Sequence, residues 1–173
     1  MVTRMTVRTI GKEDVPAFFE MLCRLDEETE YMMYEPGERR ARTKDLARLE
    51  AVVFSAVSGE DFLQVAENDA GEIVGFLHAE RGRMNRIRHT AYIVIGIRRS
   101  YRRQGIGTLL LRNLFDWAGL HGIIRLELTV ECSNTAAKHL YEKQGFAVEG
   151  LRKKAMNVNG VLVDEYAMAK IIE

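Results

Sequence analysis

The chain has 173 residues, and 25 Lys plus Arg are balanced by 25 Asp plus Glu. With 47% hydrophobic and 29% charged residues it has the make-up of an ordinary globular protein of single-domain length, residues 1–173, and a disordered or fibrous chain is excluded. Zero net charge argues against a protein that works by coating nucleic acid or an anionic membrane. Cys23 and Cys132 are too few for a disulfide scaffold and point to a reducing compartment. The histidines (His78, His89, His121, His139) show no ligand spacing, so no metal site is expected. The first residues, Met1-Val2-Thr3-Arg4-Met5, lack the apolar core of a signal peptide, and no apolar run is long enough to span a bilayer. A cytoplasmic location is the expectation.

Met5 to Ile10 reads as a first strand ended by Gly11. Val15, Phe18, Phe19, Leu22 and Leu25 then fall at helical spacing, with Pro16 in the tolerant first turn. The acidic stretch Asp26-Glu27-Glu28-Thr29-Glu30 leads into Tyr31-Met32-Met33-Tyr34, and Pro36-Gly37 breaks regular structure. A second helix is predicted from Thr43 through Leu46, Leu49, Val53 and Phe54 to Ser58-Gly59. Phe62–Glu67 and Glu72–Glu80 read as strands joined by a turn at Asn68-Asp69-Ala70-Gly71. The Arg-rich stretch Arg81–Arg88 is expected to be a solvated loop. Thr90–Ile97 is almost continuously apolar, as in a strand buried on both faces, and Gly96 inside it signals a bulge or a close backbone approach. A helix over Ile106–Gly119, an alternating strand Arg125–Glu131 and a helix Thr135–Gln144 closed by Gly145 follow. Two strands end the chain, Phe146–Arg152 and Val161–Ile171. The order β-α-α-β-β-β-α-β-α-β-β predicts an α/β fold, a central mixed sheet with helices on both faces.

The segment that carries chemistry is Arg98-Arg99-Ser100-Tyr101-Arg102-Arg103-Gln104-Gly105-Ile106-Gly107-Thr108. A buried strand ends, arginines cluster, two glycines follow and a helix starts. Unpaired first-turn N–H groups and the helix dipole attract an anion, and glycine removes the Cβ that would block it. A phosphate or pyrophosphate cradle is the result. A P-loop is rejected because Thr108, not Lys, follows the last glycine. A dinucleotide fold matches Gly105 and Gly107 and even Glu127, but has Leu110 for the third glycine and too little chain after Glu127 for the remaining strands.

Arg102-x-x-Gly105-x-Gly107 resembles the acetyl-CoA signature of the GNAT superfamily of N-acetyltransferases. The resemblance extends to Asn134-Thr135-Ala136-Ala137-Lys138-His139-Leu140-Tyr141-Glu142-Lys143-Gln144-Gly145-Phe146 and to the predicted order of elements. It implies a splayed strand pair whose slot admits the pantetheine arm of acetyl-CoA beside Ile95 to Ile97. It also implies pyrophosphate on Arg102, Arg103, Gln104, Gly105, Ile106, Gly107 and Thr108, a cofactor contact from Asn134, and Tyr141 as the acid for the departing thiolate. The chemistry implied is direct transfer of the acetyl group to a primary amine in a ternary complex. Glu127 matches the strand on which some members carry a base; Glu131 or an ordered water is the rival. An acyl-CoA-binding module without turnover is the alternative class, and Tyr141 speaks against it.

In the family the acceptor enters along the connection after the first helix. Glu30, Tyr31 and Tyr34 lie there with Asp26, Glu27, Glu28 and Glu35, and carboxylates with aromatics suit a cationic amine. Arg39, Arg40 and Arg42 dilute that charge, and Asp164, Glu165 and Tyr166 are further pocket candidates. A small amine or amino-acid-like acceptor is expected, with a protein lysine or N-terminal amine as the rival. A homodimer is the family-based expectation. The neutral total then divides into a basic mouth for phosphate at Arg98–Arg103 and an acidic mouth for the acceptor at Asp26–Glu35.

Overall fold

The first strand and the first helix are fastened together by one ion-pair cluster. In the computed structural model, which describes residues 4–173, β1 is Thr6–Thr9 and α1 is Val15–Glu28. Met1, Val2 and Thr3, which entered the argument about a signal peptide, lie outside the described residues. Arg8 on β1 grips both oxygens of Asp14, at 2.7 and 2.9 Å, and reaches Glu67 at 2.8 Å. Asp14 also accepts the Gly11 N–H at 2.7 Å, which sets the turn into α1. Pro16 sits in the first turn of α1, where its missing N–H costs nothing.

The remaining elements are α2 (Glu38–Arg42), α3 (Ala47–Val57), β2 (Phe62–Glu67), β3 (Ile73–Arg81), β4 (Thr90–Ile97), α4 (Ile106–Leu120), β5 (Arg125–Glu131), α5 (Thr135–Lys143), β6 (Ala147–Val158) and β7 (Val161–Ile171). The strands hydrogen-bond in the order β1-β2-β3-β4-β5-β7-β6, one mixed sheet. The expected α/β order is present, with α2 added. Gly37, at φ +80°, ends the Pro36-Gly37 break and starts that short helix.

The chain packs as two compact units. One comprises the residues up to Ala79 with Val94–Arg112. There β1, β2 and β3 are antiparallel, with Val7 opposite Ala66 and Val65 opposite Phe76. The apolar stripe of α1 supplies Val15, Phe18, Leu22 and Leu25 to a core shared with Val53 and Ala56 of α3 and with Leu63, Val65 and Phe76. Phe18 meets Phe76 edge-on at 5.3 Å. Each such buried side chain stabilises by about 1.5–3 kcal/mol.

The other unit comprises Glu80–Ile93 and Asn113–Glu173. Leu126, Leu128 and Val130 alternate into its interior, as the strand pattern predicts, and Leu114 and Ala118 of α4 are also buried. β5, β7 and β6 form an antiparallel ladder, with Leu128 opposite Met168. β6 runs beyond the predicted end at Arg152, through a register shift between Arg152 and Met156, to Val158. The parallel ladder of β4 with β5 pairs Thr90 with Arg125, Ala91 with Leu126 and Tyr92 with Glu127, whereas β4 continues to Ile97 and β5 to Glu131. β4 is not buried on both faces. Ala91 and Ile93 are inside, but Tyr92 and Val94 are 43% and 40% exposed. The apolar run hid a polar function for one face, since the Tyr92 hydroxyl pairs with that of Thr129 at 2.8 Å.

The Arg8 cluster is the point at which acid should act. The Arg8 guanidinium, opposed by burial and helped by the Gly11 N–H, holds the Asp14 carboxyl below its ordinary value. A depressed carboxyl contributes stability that is present above the unfolded-state value and is lost as pH falls through the folded one. Asp14→Asn is expected to destabilise by about 2 kcal/mol at pH 7, less than for a fully buried pair because Arg8 is 35% exposed. In urea unfolding the difference from wild type should shrink as pH falls toward about 2.

Candidate active site

The turn from β4 into α4 leaves the first amides of the helix without helical partners. Arg98 N–H closes the strand on Val74 O at 2.8 Å, and one 3-10 turn follows at Arg99–Tyr101. Arg103 then adopts φ +60° and Gly105 φ +80°. Left-handed residues set among right-handed ones turn neighbouring amides toward one concave side, an anion nest. The first helical bond of α4 runs from Leu109 N–H to Gly105 O at 3.0 Å, so the amides of Ile106, Gly107 and Thr108 have no partner within the helix. A Cβ on Gly105 would meet nothing within 4 Å. Backbone conformation, not crowding, therefore calls for glycine there. Ile106, 3% exposed, pins the helix start to the interior. These residues suit a pyrophosphate: donors, a helix dipole and open approach converge on one spot.

The arginines divide their work. Arg102 Nε folds back onto Ile97 O at 3.0 Å, and Gln104 Nε2 onto Ser100 O at 3.3 Å. Both brace the loop. Arg103 is exposed. Arg98 and Arg99 are held by Glu28: its Oε1 accepts from Arg98 Nε and Nη2 at 3.1 and 2.8 Å, and its Oε2 from Arg99 N–H at 2.8 Å. Ile95 and Ile97 are half-buried on β4. Between them Gly96, where the sequence leaves a bulge or a close backbone approach open, is closely approached by side chains. A Cβ there would lie 2.8 Å from Leu25 Cδ1 and 2.9 Å from Phe76 Cε1.

A second group of side chains lies on β4, β5 and α5. Asn134 caps α5, its Oδ1 accepting the Ala137 N–H at 3.3 Å. Tyr141 is buried and meets Phe146 edge-on at 5.8 Å. Burial, with Tyr92 adding, pushes its hydroxyl well above the ordinary tyrosine value, so it holds its proton. Glu127 faces Arg125, which also binds Glu149. Glu131 Oε1 accepts from Ser133 at 3.0 Å, while its Oε2 is buried and has no hydrogen-bond partner among the described residues. No cluster able to hold a metal occurs among the described residues.

On the proposed acceptor segment Tyr31 and Glu30 are exposed, and the Tyr34 ring lies 4.5 Å beneath the Arg39 guanidinium. The acidic mouth is weaker than the sequence suggested. Asp26 is buried and bound by Arg39 at 2.7 and 3.1 Å, and Glu28 is committed to Arg98 and Arg99. Glu28, Tyr92 and Thr129 carry no motif in the sequence that marks them for these contacts. Tyr92 was legible only as a hydroxyl inside an otherwise apolar run.

A model of the acetyltransferase (GNAT) family matches residues 19–146. The chain belongs to that family. Among curated GNAT-type relatives it is 32% identical over 102 residues to the L-amino acid N-acetyltransferase AaaT of Escherichia coli, covering 58% of this chain and 63% of that protein. It is 36% identical over 107 residues to the N-alpha-acetyltransferase RimI of Mycobacterium tuberculosis, covering 61% and 64%. The chain thus spans a little under two thirds of these relatives. A crystal structure of a GNAT-family acetyltransferase from Streptococcus pneumoniae superposes with a TM-score of 0.89 at 28% identity, over 98% of this chain and 100% of that one. The fold is also that of yncA from Salmonella typhimurium, solved with acetyl-CoA, at a TM-score of 0.84 and 21% identity over 98% and 95%.

Gly105→Ala tests the nest directly. An alanine held at φ +80° costs about 1–2 kcal/mol, and relief of that strain would turn the amides away. CoA should raise the melting temperature of wild type and do so at least tenfold less potently for the variant, read by thermal shift against CoA concentration.

Proposed function

We propose that the chain is an acetyl-CoA-dependent N-acetyltransferase whose acceptor is a small primary amine or amino-acid-like molecule. The observation that carries this is the left-handed turn at Arg103 and Gly105 followed by the Ile106, Gly107 and Thr108 amides, which have no partner within the helix and suit a pyrophosphate. Acetyl-CoA would supply the activated thioester. The chain would supply position and proton control. Arg103 adds charge at the nest, Arg102 and Gln104 keep its backbone in shape, and Ile95 and Ile97 offer main-chain groups to the pantetheine amides. Asn134, besides capping α5, is the proposed further contact.

Tyr141 is the proposed acid. A tyrosine hydroxyl carries its proton at neutral pH, which it can give to the departing sulfur, and burial, by raising its titration further, argues against a role as the base. Of the two candidate bases, Glu131 is favoured over Glu127. The Glu127 carboxylate is engaged by Arg125, whereas Glu131 Oε2 is buried and unpartnered among the described residues and can take an N–H proton. Glu30, Tyr31 and Tyr34 remain the proposed acceptor contacts. An α-amine is the group that the names of both curated relatives suit, which supports an amino-acid-like acceptor. It also keeps a protein N-terminus as the second reading, because one relative is a ribosomal-protein-alanine N-acetyltransferase. The long exposed edge strand β6, with Val148 and Leu151 in contact with solvent, supports a homodimer.

Thiol release from acetyl-CoA over a panel of amino acids, amines and N-terminal peptides separates the acceptors. Turnover with peptides alone would overturn the small-molecule reading. Tyr141→Phe should lower kcat by about 10²–10⁴-fold and leave the Kd for CoA within about twofold. Glu131→Gln should lower kcat more than Glu127→Gln. Equal loss in the two would overturn the choice of base.

A further inference from the structure

The strongest link outside the nest is the carboxylate that closes α1. Glu28 is the last residue of that helix, and Thr29 N–H ends it on Leu25 O at 3.2 Å. Its two oxygens take three N–H groups from Arg98 and Arg99, and its own carbonyl accepts from Arg99 Nη2. The same helix end meets β4 a second time. The Leu25 side chain and Met32 Sδ crowd Gly96, where an added Cβ would lie 2.8 Å from one and 3.6 Å from the other. The segment from Thr29 to Tyr34 therefore leaves the helix at the two places where α1 touches the strand end and the start of the cradle.

We propose that Glu28 is a positioning residue: it fixes the Arg98–Thr108 cradle to the end of α1 and passes the ordering of that cradle by CoA on to Thr29–Tyr34. This rests on the reading of the cradle as the CoA site and of Glu30, Tyr31 and Tyr34 as acceptor contacts. Charge alone predicts the opposite effect on affinity. A carboxylate near a pyrophosphate repels it, so removing the charge should tighten CoA binding. Glu28 is already neutralised by Arg98 at 2.8 Å, which leaves its geometry as the larger effect. The geometry also holds the carboxyl below its ordinary value although burial opposes this, because the Arg99 N–H and the Arg98 guanidinium outweigh it. A glutamine keeps one acceptor oxygen and turns an NH₂ toward a donor, so one of the two arginine attachments must break.

Glu28→Gln should raise the Kd for CoA and the KM for acetyl-CoA about tenfold, with kcat within about twofold. Glu20→Gln, which removes an exposed pair with Arg40 on the same helix, should change neither. Hydrogen exchange with CoA as the probe reads the coupling. In wild type, CoA should slow exchange in residues 98–108 and in residues 29–34 together. In saturated Glu28→Gln, only residues 98–108 should slow. Unchanged or tighter CoA binding by a folded Glu28→Gln protein, or slowing of residues 29–34 in that variant, overturns the role of Glu28 and leaves the cofactor reading intact. Wild type that binds no CoA overturns both. Should the variant not fold, the wild-type experiment decides, because CoA that leaves residues 29–34 unslowed is incompatible with the proposal.

Discussion

The constraint on which the site depends is a backbone one. Between Ile97 and Ile106 the chain must leave a strand and enter a helix whose first amides, Ile106, Gly107 and Thr108, have no partner within the helix. Arg103 at φ +60° satisfies this at a cost of about 1 kcal/mol that glycine would not incur. Such a conformation persists only where the surroundings over-determine it. Here Arg102 bound to Ile97 O, Gln104 bound to Ser100 O and Glu28 holding Arg98 and Arg99 provide that. Side chains whose charge suggested phosphate contact thus do much of their work on the loop itself, and the backbone they hold is what suits the anion.

The same economy governs charge elsewhere. The expected division of charge into a basic and an acidic mouth is weakened on the acidic side, where Asp26 and Glu28 are paired. Ion pairs join Asp26 with Arg39, Glu20 with Arg40, Asp14 and Glu67 with Arg8, Glu127 and Glu149 with Arg125, and Glu165 with Arg152. Several of these pairs tie successive elements together, α1 to α2 and β1 to the start of α1. Removing one partner of the Asp26–Arg39 pair would leave a charge uncompensated at a site where Asp26 is almost wholly buried. Under the acceptor role proposed for the segment after α1, Glu30 and the aromatic rings therefore carry more of the contact than the whole acidic run.

What was legible in the sequence follows from period and punctuation. The alternation Leu126, Leu128, Val130 and the helical stripe Val15, Phe18, Leu22, Leu25 each place one face inside, and both do so. Gly37, Gly59, Gly105 and Gly145, which mark breaks in the sequence, all have positive φ. What escaped was side-chain pairing at long separation. Nothing in the run Asp26–Glu30 says that Glu28 faces Arg98 while Asp26 faces Arg39, because partner choice depends on how α1 lies against β4 and α2. The double burial expected of β4 failed for a related reason. An apolar run reports affinity for an interior, and Tyr92 meets that affinity on one side of its ring while its hydroxyl turns to Thr129.

The run from Asn134 to Phe146 shows why packing and chemistry are poor alternatives here. Asn134 is a helix cap by direct observation, and capping fixes where α5 begins. Gly145 at φ +91° ends the helix closely enough for Phe146 N–H to return to Tyr141 O at 3.0 Å. Phe146 can then stand against both Phe115 and the Tyr141 ring, at 6.2 and 5.8 Å. A Cβ on Gly145 would press on Lys170 Nζ at 2.6 Å, the same ammonium that sits over Phe115. The aromatic packing produced by these local rules buries Tyr141, and burial is the larger of the two causes that keep its hydroxyl protonated. Core placement of the tyrosine thus moves its titration further from neutrality, and the segment that packs the ring is the one in which the proposed acid lies.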